Sequence, residues 1–293
     1  MADGNDGFES LRAWIGRQES RDDVVTAAPV AALAATLDHA APQSGDGDPL
    51  PPLWHWLYFL PMPARSQIGA DGHPVRGGFL PPVALPRRMW AGSRLEFHRP
   101  LLIGERIRRD STIADVQHKR GRTGDLVFVV VRHEIHGTGQ LAITEEQRIV
   151  YRGASSSNST AESTAAKATP AAPPPRPADW QHVVHPDPVL LFRYAALTFN
   201  GHRIHYDRDY ATQVEGYPGL VVHGPLIATL LLDLLQRQQA GARVKTFEFR
   251  AVSPLFDIHR FRVCGRDEGD GKHALWAANH KGELAMQATA TVA

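Results

Sequence analysis

Cysteine is almost absent from this chain of 293 residues, because Cys264 is the only one. A single thiol excludes an intramolecular disulfide and a cysteine-rich zinc site, and it is typical of proteins from a reducing compartment. Long apolar runs are missing too, since residues 127–131 and 226–232 fall far short of the roughly 20 residues that cross a bilayer. The first ten residues lack the basic and apolar regions of a secretory signal. We therefore expect a cytoplasmic protein with no membrane partner.

An excess of charge of either sign is also lacking. Lys and Arg number 32 against 31 Asp and Glu, which gives a net charge of +1 with histidine neutral. Such a chain has no global field to attract nucleic acid, so any anionic ligand must be bound by local groups. The sequence contains neither a glycine-rich phosphate loop nor a Gly-x-Ser-x-Gly nucleophile motif. We expect no nucleic-acid partner and no serine-hydrolase chemistry of that type.

Large apolar residues are absent from residues 153–178, which consist mostly of Ala, Ser, Thr and Pro. Such a segment cannot form a core and is typical of a linker. The sequence therefore predicts an N-terminal half at residues 1–152, a linker at 153–178 and a C-terminal half at 179–293. With 43% hydrophobic residues, the chain as a whole has enough apolar material for a sizeable core.

The two halves share an order of elements. Apolar patterns after Pro29 and Pro188 predict helices at residues 30–38 and 189–200, since proline suits the first helical turn. The segment Leu-Glu-Phe-His at 95–98 is similar to Phe-Glu-Phe-Arg at 247–250. Strands are predicted at 107–116, 126–135, 141–151, 246–252, 259–265, 273–279 and 284–292, with further helices at 11–18 and 228–239. A helix followed by antiparallel strands, twice, indicates a duplicated α+β fold whose two sheets pair.

The densest polar cluster is Asn-Gly-His-Arg-Ile-His-Tyr-Asp at 200–207, where Gly201 is predicted to cap the preceding helix. A second cluster at 218–225 includes His223 and Gly224, directly before the apolar helix, where backbone N–H groups could hold an oxyanion. His202 and His205 have the spacing of a metal pair on a helix, but no third ligand lies nearby in the sequence, so no metal is expected. Bracing of loops is the more ordinary role of such histidines, and the clusters by themselves name no reaction.

Residues 194–211 resemble the signature of the MaoC-type, hot-dog-fold enoyl-CoA hydratases. Ile204, His205 and Ala211 match that signature, whereas Asn200 stands where it has an acidic residue. The run Phe-Asn-Gly-His-Arg-Ile-His-Tyr-Asp at 199–207 instead completes the pattern of one subgroup, the type 2 hydroxyacyl-thioester dehydratases and the mesaconyl-C4-CoA hydratases. Segments 50–56, 71–74, 76–82 and 85–92 also resemble this subgroup, so the similarity covers nearly the whole chain except the linker.

The resemblance implies a double hot dog, in which each half is a curved antiparallel sheet around a central helix. It places the active site in the C-terminal half and gives the N-terminal half the task of shaping an acyl-CoA pocket. The implied reaction is the reversible hydration of an α,β-unsaturated, branched dicarboxylyl-CoA, either mesaconyl-C4-CoA or itaconyl-CoA, to citramalyl-CoA. No cofactor is implied beyond the CoA of the substrate itself. A monomer and a homodimer both fit such a chain.

The same resemblance assigns roles within the polar clusters. His205 is the expected base, and Asn200 is expected to orient the water, since an amide cannot ionise. His202 and Tyr194 are further candidates for catalysis or positioning, and the backbone near His223 and Gly224 is the candidate oxyanion hole. A substrate carboxylate calls for a fixed arginine. The substrate-binding candidates are Arg76, Arg87, Arg88, Arg203 and Gly78.

Besides a pure interaction module, three alternatives remain open. A dehydratase of fatty acyl chains would need a long apolar tunnel. A thioesterase on the same fold would need a carboxylate facing the thioester, and Asp38 occupies the place in the first half that we take as equivalent to Asn200. The third alternative is an acyl-thioester binding protein without catalysis.

Overall fold

The computed structural model describes residues 6–39, 45–121, 124–153 and 177–293, so residues 154–176 of the predicted linker lie outside the described residues. Within these ranges ten strands form one antiparallel sheet. The strands are β1 (Gln18–Val24), β2 (Arg87–Phe97), β3 (Arg106–Gly121), β4 (Gly124–Gly137), β5 (Gln140–Arg152), β6 (Trp180–Val184), β7 (Val244–Ala251), β8 (Phe261–Gly269), β9 (Lys272–Ala278) and β10 (Leu284–Val292). The α-helices are α1 (Asp6–Glu9), α2 (Ala27–Thr36), α3 (Pro188–Leu197) and α4 (Gly224–Gln238).

The order of the strands is symmetric about the centre of the sheet. It runs β1-β3-β4-β5-β2-β7-β10-β9-β8-β6, so each half contributes five strands in the same arrangement. At the centre β2 and β7 pair antiparallel, and Leu95 lies opposite Phe247. These two residues begin the segments that the sequence comparison aligned. The structure therefore confirms the expected duplication and the pairing of the two sheets.

The helices pack on the sheet and bury their apolar faces. In α3 the Asp187 side chain caps the helix by accepting a hydrogen bond from the Leu190 N–H at 2.8 Å, and Pro188 occupies the first turn. Nearly every apolar side chain of α4 is buried, as its continuous hydrophobic sequence predicts. One core cluster joins both halves through α2, α3, α4 and the central strands. Among the described residues no helix is long and apolar enough to span a membrane.

Three expectations about local structure are wrong. The helix predicted at 11–18 is replaced by α1 and a 3-10 helix, Ser10–Trp14, and the chain then turns at Gly16, whose φ is +85°, into β1. The strands β1 and β6 were missed because their sequences lack apolar alternation, and both lie at edges of the sheet where few side chains are buried. In each half an edge strand therefore directly precedes a helix, α2 or α3.

The third correction concerns the end of α3. The helix ends at Leu197 and closes with a Schellman turn, in which the Asn200 N–H bonds the Ala195 carbonyl at 2.8 Å and Phe199 takes a φ of +47°. Gly201 is therefore not the helix cap. Its lack of a side chain serves a different purpose, because a Cβ there would lie 2.8 Å from the carbonyl oxygen of Gly72.

Candidate active site

A cleft of about 1230 Å³ is lined by both halves of the chain. Its lining includes six of the sequence-predicted candidates from the C-terminal half and three from the N-terminal half. They are Tyr194, Asn200, His202, His205, His223 and Gly224, together with Arg76, Gly78 and Arg88. The structure thus brings most of the sequence-predicted site residues to one place. Arg87 and Arg203 are not part of this lining.

The turn after α3 sets the direction of the polar side chains. The Asn200 side-chain oxygen accepts a hydrogen bond from the His202 backbone N–H at 3.1 Å, which folds the chain back immediately after the Schellman turn. A 3-10 helix, Arg203–His205, follows, and Arg203 holds the Asp207 carboxylate at 2.8 Å while lying over the Tyr210 ring. Arg203 is therefore a brace of this turn.

His205 is fixed by one short hydrogen bond. Its Nδ1 lies 2.7 Å from the carbonyl oxygen of Val221, so Nδ1 carries the proton and donates it to that carbonyl. Nε2 is then the proton-accepting nitrogen. Only 8% of His205 is exposed, and burial lowers its pKa from 6.5 to about 4 against the opposing effect of the Val221 carbonyl. The ring is consequently neutral at pH 7 and able to act as a base.

A row of four histidine rings crosses the cleft. Measured between ring centroids, His73 lies 3.9 Å from His202, His202 lies 5.4 Å from His205, and His205 lies 3.7 Å from His223. Burial lowers the pKa of all four, and their mutual repulsion lowers that of His202 and His223 further. The row is therefore neutral at pH 7, and a proton added to one ring raises the cost of protonating its neighbours.

His223 lies at the start of α4 and is almost fully buried, with 1% exposed. Its ring stacks on His205 and meets the edge of Tyr194, with centroids 5.1 Å apart. Burial raises the pKa of Tyr194, which therefore keeps its proton. Gly224 is the first residue of α4, and a Cβ built on it would meet no atom within 4 Å, so its backbone borders open space in the cleft.

A loop of the N-terminal half is pressed against the turn that carries these histidines. The Arg203 N–H bonds the Asp71 carbonyl at 2.9 Å, and the Arg203 guanidinium bonds the Ala70 carbonyl at 3.1 Å. Gly72 has a φ of +87°, and a Cβ on it would lie 1.8 Å from the Gly201 carbonyl oxygen. Only glycine fits there. The same loop brings His73 into the cleft beside His202.

Asp71 orients His73 by two hydrogen bonds. One carboxylate oxygen lies 3.0 Å from His73 Nδ1, and the other accepts the His73 backbone N–H at 3.0 Å. Among the described residues, Asp71, His73 and His202 form the one group whose donor atoms, all within 4.8 Å of one another, have the spacing of a metal site. The third ligand that the sequence around His202 lacked thus comes from the other half. Asp71 and His73 already satisfy one another, however, which favours a carboxylate–imidazole pair.

The arginine candidates have different surroundings. Arg76 donates to three carbonyls of its own half, those of Val83, Leu85 and Pro86, and so supports the loop. Arg87 pairs with the Glu215 carboxylate at 3.2 Å, across the two halves. Arg88 lines the cleft beside Tyr151. Burial raises the pKa of Tyr151, and the charge and hydrogen bond of Arg88 oppose that rise. The positive charge of Arg88 also contributes to the lowered pKa values of His73 and His202, which places it near the histidine row.

The cleft continues into the N-terminal half, where several buried polar side chains stand among mostly apolar lining residues. Glu145 is 3% exposed and accepts hydrogen bonds from Trp56 at 3.1 Å and Ser93 at 2.8 Å, with His55 at 3.3 Å. The bonds and charge of His55 hold the pKa of Glu145 below its usual value despite burial. Arg109 also lines this region, with its guanidinium largely buried over the Phe59 ring.

Reasoning from the sequence missed the roles that Asp71, His73 and Glu145 have in this cleft. No local spacing connects residue 73 with residue 202, because the contact arises only when the two halves meet. The expected equivalence of Asp38 with Asn200 is also wrong. After α2 the His39 N–H bonds the Ala34 carbonyl, as the Asn200 N–H bonds the Ala195 carbonyl after α3. Asp38, with a φ of +53°, therefore corresponds to Phe199, with a φ of +47°. Asp38 is not among the residues that line the cleft, which removes the carboxylate required by the thioesterase alternative.

Comparison with known proteins identifies similar sequences over nearly the whole chain. Residues 53–257 match the family model described as hydroxyacyl-thioester dehydratase type 2. The chain is 48% identical over 286 residues to the mesaconyl-C(4)-CoA hydratase of Chloroflexus aurantiacus, an alignment that covers 94% of this chain and 96% of that protein. The match therefore includes both halves and the polar turn between α3 and α4.

Solved structures with the same architecture are more distant in sequence. A MaoC-like dehydratase from Phytophthora capsici is similar with a TM-score of 0.67 and 13% identity, covering 97% of this chain and 98% of that one. A Mycobacterium tuberculosis protein described as a double hot-dog fold gives a TM-score of 0.57 and 15% identity, covering 97% of each chain. These similarities confirm the expected α+β double hot-dog fold.

Proposed function

The chain belongs to the hydroxyacyl-thioester dehydratase type 2 family and is a hydro-lyase of acyl thioesters, and on that premise we propose that its substrate is a short, branched dicarboxylyl-CoA. The proposed reaction is the reversible hydration of mesaconyl-C4-CoA or itaconyl-CoA to citramalyl-CoA. The relative from Chloroflexus aurantiacus, named as a mesaconyl-C(4)-CoA hydratase, supports this choice of substrate class. The chemistry uses protein groups and water, and CoA is part of the substrate.

The observation that carries the proposal is the fixed tautomer of His205. Because Nδ1 donates to the Val221 carbonyl at 2.7 Å, Nε2 is left to take a proton from water. As the water oxygen bonds the β-carbon, the electrons of the double bond move toward the thioester oxygen. In the reverse direction the same nitrogen returns the proton to the departing hydroxyl.

Two neighbouring groups have complementary tasks. Asn200 uses its side-chain oxygen to hold the His202 N–H, so its amide protons remain to orient the attacking water. The Gly224 N–H stands at the positive end of α4, where it can stabilise charge developing on the thioester oxygen. Pro225 follows and has no N–H of its own, so Gly224 is the donor that the geometry favours.

Arg88 is the arginine that we assign to the substrate carboxylate. It lines the cleft near the histidine row, and among the described residues it forms no ion pair with a carboxylate of the protein. Arg76, Arg87 and Arg203 are held by other partners, as described above. A planar guanidinium binds a carboxylate through two parallel hydrogen bonds, which also fixes the orientation of the acyl group.

The partly exposed guanidinium of Arg109, which lines the N-terminal part of the cleft, weighs against a fatty acyl substrate. An apolar chain that lay against it would remove its water without providing hydrogen bonds. Burying unpaired polar groups against an alkyl chain costs on the order of 1–3 kcal/mol per group. The dehydratase of long fatty chains is therefore the second candidate.

The proposal is tested by incubating the purified protein with mesaconyl-C4-CoA, itaconyl-CoA, citramalyl-CoA and crotonyl-CoA and following the mass of the thioester. We expect gain or loss of one water on the dicarboxylyl thioesters. Preference for crotonyl-CoA or longer apolar chains would favour the second candidate, and release of free CoA would contradict a hydro-lyase.

The role of Arg88 has its own test. In Arg88→Gln we expect KM for the dicarboxylyl substrate to rise about 10- to 100-fold, the value of one charge-assisted contact, with crotonyl-CoA turnover little affected. Arg87→Gln is the matched control, since Arg87 pairs with Glu215 outside the lining of the cleft. Equal losses on both substrates in Arg88→Gln would contradict its assignment to the carboxylate.

A further inference from the structure

The proposed mechanism leaves one proton without a carrier. Addition of water to the double bond gives an enolate whose α-carbon must still receive a proton, while the proposed mechanism uses His205 Nε2 to activate the water that attacks the β-carbon. Asn200 lines the same cleft, but an amide does not exchange protons at neutral pH. Another group that can carry a proton is needed beside His205.

The N-terminal half provides such a group at the right place. His73 lines the cleft, and its ring lies 3.9 Å from that of His202, which in turn lies 5.4 Å from that of His205. The Asp71 carboxylate holds Nδ1 of His73 at 3.0 Å. This bond fixes the proton on Nδ1 and leaves Nε2 as the reactive nitrogen, the same arrangement that Val221 gives to His205.

The position of the pair is set rigidly. Its loop is anchored by the bond from the Arg203 N–H to the Asp71 carbonyl at 2.9 Å and by the contact between Gly72 and Gly201. Those backbone contacts would by themselves be enough to hold the two loops together, without the bond between Asp71 and His73. The additional carboxylate–imidazole bond, on a ring that lines the cleft, is a feature of groups that exchange protons.

We propose that His73, oriented by Asp71, is the second proton carrier of this active site, a task that the Asn200 amide cannot perform. The inference rests on the proposed hydratase function. It assigns to the N-terminal half a direct part in the chemistry, in addition to its part in shaping the cleft.

The step balances with one water and no other reactant. His205 Nε2 takes a proton from water as the hydroxyl bonds the β-carbon and the double-bond electrons move to the thioester oxygen. The proton passes from His205 through His202 to His73 Nε2. It then leaves His73 for the α-carbon as the enolate collapses to the thioester. All three rings begin and end neutral, in keeping with their lowered pKa values.

The charges around His73 determine how its protonation responds to substitution. Asp71 raises its pKa, whereas burial and the positive charges of Arg88 and Arg76 lower it, and His202 lies against its ring. Replacing Asp71 by Asn keeps a hydrogen-bond acceptor for Nδ1 but removes the negative charge. The pKa of His73 then falls further, and the neutral ring becomes a weaker proton acceptor.

The experiment measures hydration of mesaconyl-C4-CoA by wild type, His73→Ala, His73→Asn and Asp71→Asn, with and without added imidazole. We expect kcat of His73→Ala to fall about 10²-fold or more with KM nearly unchanged, and imidazole to restore part of the rate by occupying the vacated space. Asp71→Asn should show a smaller fall in kcat and an altered pH profile. Circular dichroism establishes that each variant is folded, and His73→Asn serves if His73→Ala is not.

The outcomes separate this inference from the proposed function. Turnover by wild type with His73→Ala and His73→Asn both within threefold of it would overturn the inference alone. A large loss that imidazole does not restore and that leaves the pH profile unchanged would assign the pair to loop bracing. Loss of wild-type activity with a chelator, restored by Zn²⁺ alone, would overturn it in favour of a metal held by these side chains. Absence of wild-type turnover on all four thioesters would instead contradict the proposed function.

Discussion

The N-terminal and C-terminal halves build the same five-stranded sheet, and the helices α2 and α3 end with the same turn. After α2 a hydrogen bond from the His39 N–H to the Ala34 carbonyl closes this turn. After α3 the equivalent bond runs from the Asn200 N–H to the Ala195 carbonyl. Beyond that turn the halves differ. The C-terminal half continues into the histidine cluster and the buried helix α4. In the described part of the N-terminal half only 3-10 helices, Trp54–Leu57 and Arg65–Gln67, lie between α2 and β2.

The sheet interiors differ in the same way. Leu95 of β2 pairs with Glu145 of β5, and the corresponding pair in the other half is Phe247 with Ala290. A buried carboxylate therefore stands in the N-terminal half where the C-terminal half has a methyl group under α4. The space that α4 fills in one half belongs to the cleft in the other. The two halves thus share one arrangement of strands, and the proposed chemistry depends on the helices and side chains that each half adds to it.

The largest expected effect falls on the C-terminal half alone. His205→Ala should lower kcat about 10³- to 10⁴-fold, because no other ring is placed by the Val221 carbonyl to take a proton from water. Steady-state kinetics with mesaconyl-C4-CoA measures this loss. Asp38→Asn, in the corresponding turn of the N-terminal half, is the control and should leave kcat unchanged, since asparagine also accepts a positive φ. A comparable loss in Asp38→Asn would contradict the assignment of the catalytic base to the C-terminal half.

The next effect is on stability and falls on the N-terminal half. Glu145→Ala should lower the free energy of unfolding by about 3–5 kcal/mol, because His55, Trp56 and Ser93 lose a buried acceptor. Urea denaturation measures it. Glu134→Ala removes an exposed partner of Arg132 and should cost at most about 1 kcal/mol. Equal costs for the two variants would show that the buried network adds little to stability.

Contact between the halves is tested by Gly72→Ala. The added Cβ meets the Gly201 carbonyl oxygen and should move the histidine turn, with about a 10²-fold loss of kcat from misplacement of the reacting groups. Gly216→Ala shares the strain of a positive φ, +72°, but its Cβ would meet nothing within 4 Å. That control should lose some stability and keep its activity. Full activity in Gly72→Ala would mean that the two loops move independently.

The smallest effect is a difference in response to pH. His205 is neutral when folded, with a pKa lowered to about 4, but it takes up a proton near pH 6.5 when unfolded. Its burial therefore destabilises the fold as pH falls through this window, on the order of 2 kcal/mol near pH 5. Glu145 also has a lowered pKa, so its contribution to stability likewise falls as pH falls, but only below about pH 4.5. Thermal melting should show a shallower slope between pH 5 and 6.5 in His205→Gln, and no change in that window in Glu145→Gln.

Much of the fold was predictable because its signals are local or repeated. Seven predicted strands and the helices α2, α3 and α4 are present, with bounds displaced by a few residues. The strand β2 was indicated only at its end, by the similarity of the segment 95–98 to 247–250. The edge strands β1 and β6 gave no signal, because an exposed strand has no need of alternating apolar residues. The segment at 11–18 looked helical by its apolar spacing, but Gly16 turns the chain into β1.

The candidate site divides along similar lines. The histidines at 202 and 205 were readable because they lie in one short polar run after an apolar helix. The sequence did not show which arginine lacks a carboxylate partner, because Glu215 and Asp207 neutralise Arg87 and Arg203 only in the folded chain. Asp71 and His73 lie two residues apart in the sequence, but nothing in the sequence shows that this carboxylate–imidazole pair lies beside His202.

By itself the sequence determined the element order, the duplication and the residues of the polar turn, because periodicity, breakers and short motifs act over a few neighbouring residues. The tertiary structure decided which of those residues meet. It set the tautomer of His205 through the Val221 carbonyl, freed Arg88 for a ligand, and brought His73 from the other half into the histidine row. Val221 lies 16 residues after His205, and His73 lies more than 100 residues before His202, so these contacts join segments that no local pattern connects. The approach of Gly72 to Gly201 is another contact of this kind.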